Sequence, residues 1–353
     1  MTKLRDYLTF DDVLLLPNYS AVTPSKANVA IELTKGFALA APLLSSPMDT
    51  VTEQKLAIAL GRAGGLGCIH RNLSIKAQAA HVAGVKKEGL RVGAAVSVGR
   101  DMDERLAAVV AAGCDILLID SAHGHTKHVI DAVKLIKQKH PKLPLIAGNV
   151  ATAAGTADLI RAGTDVIRVG MGPGSICTTR VMSGMGVPQL SAIIECAKEA
   201  KKHAVPVIAD GGIRASGDIV KALAAGATAV MLGGLFAGCD ESPGDMVVLD
   251  GKKYKSYRGM GSIAAMKRGA AERYGQTYTG RASQLVPEGV EGLAPYKGTV
   301  DDLVHQLVGG IRSGLAYLGA ANIDQLQQKA RFIRISTASL HESHPHSIKH
   351  KII

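Results

Sequence analysis

Eight short aliphatic runs recur along the chain, at 41–49, 64–70, 91–98, 114–122, 143–151, 165–172, 206–213 and 228–237. They do not alternate with polar positions, which is the pattern of strands buried on both faces of a parallel sheet. Between them lie amphipathic, Ala- and Lys-rich segments such as "TEQKLAIALGRAG", "DMDERLAAVVAAG" and "GDIVKALAAG", several ending in the glycine that commonly closes a helix. Strand and helix alternate eight times, so the expected fold is a single α/β domain over 1–353, a (β/α)8 TIM barrel. A doubly wound dinucleotide fold is disfavoured: "GMGPGS" at 170–175 breaks the G-x-G-x-x-G fingerprint at its last position, and no other stretch supplies it. Two parts lie outside the repeat. Residues 240–298, after the eighth strand, are too long for an ordinary loop and are expected to form a lid or flap. The tail "HESHPHSIKHKII" carries four histidines, but without fixed ligand spacing on a regular element they make a poor metal site.

Composition narrows the class. With 353 residues, 47% of them hydrophobic and none of them Trp, the core must be large and aliphatic. The five cysteines (Cys68, Cys114, Cys177, Cys196, Cys239) are odd in number, widely spaced and free of any CxxC, which excludes a disulfide framework or zinc ribbon. The charged N-terminus lacks a signal-peptide core, and no apolar run approaches the roughly 18 residues of a membrane span, so a cytoplasmic setting is expected. A net charge of +11 raises the question of nucleic acid. The basic residues are dispersed and aromatics for base stacking are few, so a solvated basic surface or attraction for small anionic substrates is the simpler reading.

Polar residues and glycines gather where the strands end, the functional face of such barrels. They are Ser46 and Met48, Asp120 and Ser121, Asn149, Gly172 to Cys177, Asp210, and Gly233 with Gly234. "ADGGIR" and "LGGLFAG" follow strands seven and eight, the loops that commonly cradle a phosphate on backbone N–H groups. Ser175 is placed to add a hydroxyl, and Asp210 to accept from a pair of ribose hydroxyls. Beside them Cys177 sits in "GPGSICTTR", a polar loop that presents a thiol for reaction, unlike a cysteine kept for packing. The expected ligand is a nucleoside monophosphate, with Cys177 adding to an electrophilic ring carbon of a purine base.

The motifs "LTFDDVLLLP", "SSPMDTVTE", "DSAHGH", "GNVAT", "GMGPGSICTTR", "IADGGIR", "SYRGMGS", "ERYGQ" and "ESHPH" together resemble the inosine-5′-monophosphate (IMP) dehydrogenase family, from about residue 7 to 347. The related GMP reductases share the cysteine loop. The resemblance implies that Cys177 attacks C2 of IMP, that hydride passes to NAD, and that the covalent thioimidate is hydrolysed to xanthosine monophosphate. It makes Arg273 and Tyr274 of the flap the pair that activates water after NADH leaves, with Thr179 assisting. It places Ser46, Ser175, Asp210, Gly212, Gly233, Gly234, Tyr257 and Gly259 around the nucleotide, with Met48, Met260, Gly261 and Glu288 around the base. For NAD it implies Asp120, Ser121, His123, Asn149, Gly170 and Gly172. A potassium ion is implied on carbonyls of Gly172, Gly174 and Cys177, completed by Glu342, Ser343 and His344 of a neighbouring subunit, hence a homotetramer.

Two departures stand out. Gly234 replaces a hydroxyl residue common in the family, so only its backbone is available. The regulatory CBS modules usual after the second strand are missing near 84–91, where "AHVAGVKKEGLRVG" runs straight into strand three. The rival expectations are an NADPH-dependent GMP reductase, which needs no water activator, a non-catalytic basic barrel binding nucleotides or RNA, and an FMN-dependent barrel.

Overall fold

Each of the eight aliphatic runs carries one strand of a closed parallel barrel in the computed structural model, which describes residues 4–346. The strands are β1 (Leu43–Ser45), β2 (Gly67–Ile69), β3 (Val92–Val96), β4 (Ile116–Ile119), β5 (Leu145–Val150), β6 (Val166–Val169), β7 (Val207–Asp210) and β8 (Ala229–Leu232). Neighbours pair in chain order, β8 pairs with β1, and a bridge between Leu44 and Leu66 closes the ring beside β2. Nearly every strand residue is buried, because one face fills the barrel interior and the other meets the helices; this is why the runs show no alternation. Arg168 in β6 is the exception in kind, a charge only 3% exposed inside an apolar strand.

The outer layer is α1 (Gln54–Arg62), α2 (Ile75–Lys87), α3 (Met102–Ala111), α4 (Lys127–Lys139), α5 (Ala153–Ala162), α6 (Gln189–Lys201), α7 (Ser216–Ala224) and α8 (Val300–Tyr317). Side chains of Ser74, Thr126, Thr152 and Thr299 accept N–H groups of the first turns of α2, α4, α5 and α8. The glycines predicted to close α1, α3 and α7 (Gly64, Gly113, Gly226) do so with positive φ. α2 ends at Lys87 and β3 begins at Val92, so only a short turn separates them.

A hairpin, Ile31–Thr34 with Phe37–Leu39, buries its apolar face at the end where strands begin; Arg91, just before β3, lies over the Phe37 ring. The chain ends are tied together by Val13–Leu15 pairing antiparallel with Phe332–Arg334. Among the described residues no helix is long and apolar enough to cross a membrane.

The long insertion leaves the barrel at Cys239 and returns at Gly298, which pair with each other; Asp240 N donates to Gly298 O at 3.0 Å. It contains an antiparallel sheet of Met246–Leu249, Lys252–Arg258 and Glu291–Pro295. Between the last two strands, residues 259–290 make an inner excursion with only short helical turns, Ile263–Lys267, Ala270–Tyr274 and Ala282–Gln284.

Phe10 is 1% exposed and belongs to the same core as the barrel strands. Phe10→Ala should therefore cost about 3–5 kcal/mol, read from urea unfolding, since a cavity replaces a ring in a packed interior.

Candidate active site

A cavity of about 740 Å³ opens at the C-terminal ends of the strands. Its wall includes Ser46 and Met48 after β1, Asp120 after β4, Asn149 of β5, Gly170, Gly172, Gly174, Ser175, Cys177 and Thr179 after β6, Asp210 and Gly212 at β7, and Gly233 and Gly234 after β8. The insertion supplies Tyr257, Gly259, Met260, Gly261, Arg273, Tyr274 and Glu288. Residues separated by more than two hundred positions thus meet around one space. Five sequence candidates lie outside the lining. Ser121 and His123 flank the lining residue Ala122, and the Ser121 hydroxyl accepts from His123 N (3.2 Å) and donates to His123 O (2.9 Å). Glu342, Ser343 and His344 lie on the exposed C-terminal segment, whose last helix (Thr337–Glu342) packs beside Phe10–Asp12. His350 of the same tail falls outside the described residues.

Cys177 is held by backbone on both sides. Its own N–H donates to Gly174 O (3.1 Å), Thr178 N donates to Glu288 O (3.0 Å), and Val290 N donates to Ile176 O (3.0 Å), so the cysteine loop and the segment at 288–290 pair across Cys177 and Gly289. Glu288 N reaches Gly261 O and Gly259 N reaches Val290 O, joining a third segment. The thiol points to Thr179 Oγ1 at 3.2 Å. Of the five cysteines Cys177 alone is half-buried; burial pushes the thiols of Cys68, Cys114, Cys196 and Cys239 up to about 12.

At the other end Gly211 and Gly212 take positive φ, and Gly233 approaches the Tyr257 hydroxyl so closely that a Cβ there would lie 2.9 Å from it. Only glycine fits that contact, and the backbone is left open to the cavity. Tyr257 is 7% exposed, and burial raises its phenol above its ordinary range.

Charged side chains ring the floor. Asp210 accepts from Asn149 Nδ2 (2.8 Å) and Arg168 Nε (2.9 Å), which explains the arginine buried in β6. Asp120, 2% exposed, meets Arg168 Nη1 at 3.6 Å, Arg71 Nε at 3.5 Å and the guanidinium of Arg273. Burial and the neighbouring Arg71 charge push the Arg273 guanidinium below its ordinary value, while Tyr274 opposes them. Burial raises the Tyr274 phenol. The insertion is anchored at its base by Arg258 donating to both oxygens of Asp49 (3.0 and 3.1 Å from Nε, 2.7 Å from Nη2), with Asn72 Nδ2 on the same carboxylate. Arg71, Arg168, Asp49 and Arg258 were not singled out from the sequence. Arg168 alone carried a readable signal, a charge in the middle of an apolar strand.

The residues can be tested against the implied groups. Asn149 Oδ1 is buried on the cavity floor without a partner, so it fits an amide donor such as the nicotinamide carboxamide. Among the described residues no group of three His, Cys, Asp or Glu side chains could hold a metal, so an ion here would rest on carbonyls. Arg180 closes that loop by donating to Met171 O and Val187 O.

A closed (β/α)8 barrel with a loop-borne thiol, a glycine cradle and an insertion folded over both defines a barrel enzyme that works on a bound ligand at the strand ends. The chain belongs to the IMP dehydrogenase / GMP reductase domain family, whose model matches residues 7–346, and it is accordingly an oxidoreductase. It is 46% identical over 394 aligned positions to inosine-5′-monophosphate dehydrogenase of Borreliella burgdorferi, covering 98% of each chain. The same enzyme of Aquifex aeolicus is 42% identical over 476 positions (98% of this chain, 96% of that one), and that of Halalkalibacterium halodurans 41% over 471 (98% and 96%). An alignment of 476 positions against 353 residues leaves at least 123 positions with no counterpart here.

Alkylation with iodoacetamide near pH 8 should label Cys177 and spare the other four, as peptide mass spectrometry would show; equal labelling of a buried cysteine would contradict the packing.

Proposed function

We propose that the chain oxidises IMP to xanthosine monophosphate with NAD, as an IMP dehydrogenase acting through a covalent Cys177 intermediate. The observation that carries this reading is that Cys177, the glycine cradle and the Arg273–Tyr274 pair line one cavity. Backbone of Gly212, Gly233 and Gly234 with Ser175 grips the phosphate, Asp210 takes the ribose hydroxyls, and Met48, Met260, Gly261 and Glu288 bound the purine. Cys177 adds to C2, and its loop holds the sulfur there while hydride leaves that carbon. Bound NAD supplies the hydride acceptor, for which Asp120, Asn149, Gly170 and Gly172 form the wall, with Ser121 and His123 at the rim. Arg273 then takes a proton from water, with Tyr274 and Thr179 orienting it, and the thioimidate is hydrolysed.

Arginine at its ordinary pKa is a poor base. Here its side chain is 11% exposed, and the shielding supports the role. Arg273 lies on Asp120, a carboxylate also expected to face NAD, so docked flap and cofactor exclude one another and the two half-reactions follow in turn. The carbonyls of Gly172, Gly174 and Cys177, with Glu342, Ser343 and His344 of a neighbouring subunit, would hold potassium in a cytoplasmic homotetramer, and the chain would lack CBS control. The insertion distinguishes this reading from an NADPH-dependent GMP reductase, which needs no water activator.

Incubation with IMP and NAD should produce NADH absorbance at 340 nm; NADPH consumption with GMP instead would reverse the assignment. Cys177→Ala should retain IMP binding and lose turnover by about a thousandfold or more. Arg273→Ala should give a burst of NADH followed by a slow steady state, because hydrolysis suffers more than hydride transfer; equal slowing of both steps would contradict its role.

A further inference from the structure

Arg71 follows β2 by two residues and does not line the cavity. Its side chain is nevertheless only 7% exposed, with Nε 3.5 Å from Oδ2 of Asp120. Arg273 takes Oδ1 of that carboxylate, and Arg168 Nη1 approaches the same oxygen at 3.6 Å. Three buried guanidinium groups therefore converge on one carboxylate that is itself 1% exposed. Their other partners are unequal. Arg168 has Asp210, and Arg71 faces Asp101 and Glu272, of which Asp101 is already held by Arg105 Nε at 2.7 Å and by the Ser97 hydroxyl. Arg273 has Tyr274 in addition to Asp120.

We infer that Arg71 is a positioning residue for the hydrolytic half of the reaction: it lies at ion-pair distance from one oxygen of Asp120 and places a fixed like charge across that carboxylate, keeping Arg273 ready to take a proton from water. The inference rests on the reading of Arg273 as water activator. Two physical effects act in the same direction. A carboxylate approached by three guanidinium groups is less free to give any one of them the bidentate, charge-assisted fork that would lock it protonated. A second guanidinium at such short range, in surroundings that exclude water, also disfavours the charged form of the first. The charged and titratable groups around Arg273 are Asp120, Arg71, Arg168 and Tyr274; those around Arg71 are Asp120, Asp101, Glu272, Arg273 and Tyr274. Tyr274 opposes the effect on Arg273, as the Asp120 carboxylate does by its charge; burial and the neighbouring Arg71 drive it.

The test is the pH dependence of thioimidate hydrolysis in the full chain, measured as the steady-state rate after the NADH burst. Arg71→Met should move the rising limb of that profile to higher pH by about one unit and slow hydrolysis about tenfold near neutrality. Arg71→Lys, which keeps the charge, should restore the position of the limb and come within about threefold of the original rate. Arg71→Gln carries the same expectation as the Met variant if the latter does not fold. A slower rate with an unshifted profile in the Met or Gln variant would overturn the inference, since a purely structural support lowers the rate without moving the limb. Arg273→Ala, run in parallel, separates the two levels. If it leaves hydrolysis intact, the water-activator reading fails; if it slows hydrolysis while the Arg71 profile stays put, only the present inference fails.

Discussion

The chemistry of the site depends on a short stretch of main-chain pairing between the cysteine loop and the insertion. Thr178 N to Glu288 O and Val290 N to Ile176 O turn a glycine-rich loop, which alone would be mobile, into one edge of a ladder. Glu288 N to Gly261 O and Gly259 N to Val290 O add a third segment. Because these bonds are backbone bonds, they need chains that approach closely. At Gly261 a Cβ would lie 2.9 Å from both the Tyr274 hydroxyl and the Glu288 backbone, so a side chain there would push the segments apart. The same pairing brings Glu288, Met260 and Tyr274 to the cavity that Cys177 lines. Reaction centre and cover are thus positioned by one set of contacts.

A second constraint is electrostatic. The barrel floor buries Asp120, Arg168 and Asn149 and half-buries Asp210 where water has little access, and buried charges persist only when paired. Arg168 satisfies Asp210 and approaches Asp120, so its presence in an apolar strand follows from the two carboxylates at the neighbouring strand ends. The Asp49–Arg258 fork does the same at the base of the insertion, at 5% and 15% exposure, and fixes where the inner excursion starts. Between that fork and the return strand the excursion is tied to the barrel mainly by the ladder and by Arg273 on Asp120. The part that has to move during the proposed reaction is accordingly the part with few anchors.

These constraints explain what could be read from the chain alone. All eight strands were legible because a parallel strand buried on both faces must be continuously aliphatic. Residues 240–298 stood apart in the sequence because nothing in a barrel repeat accounts for such a length; in the fold a bridge joins Cys239 to Gly298. Cys177, Asp210 and the glycine pairs stood out as polar or small residues at strand ends. Arg71 did not, because its significance depends on Asp120 and Arg273, which reach it from other elements. The Asp49–Arg258 fork joins residues 209 positions apart, and neither has a local pattern that marks it. Ser121 stood beside Asp120 at a strand end, and His123 came from the family resemblance alone; the chain turns after Ser121, whose hydroxyl accepts from His123 N and donates to His123 O.

The charge of the molecule also takes on a more definite meaning. A net +11 suggests a funnel for anions, but the cavity wall holds Arg168, Arg180, Arg214, Arg273 and Lys297 against Asp11, Asp120, Asp210 and Glu288, which is close to balance. Several of those cations are already engaged: Arg168 with Asp210, Arg180 with two carbonyls, Arg214 with Asp11. The surplus lies on the outer surface, where it attracts anions at long range and is screened by salt. In the proposed function, recognition of a phosphate falls to the neutral backbone of the glycine turns, which would bind by geometry rather than by net charge. Such a cradle would leave the buried arginines to the carboxylates, and under the proposed mechanism this separation of tasks is what would let a guanidinium in the cavity serve in proton transfer instead of being neutralised by the substrate.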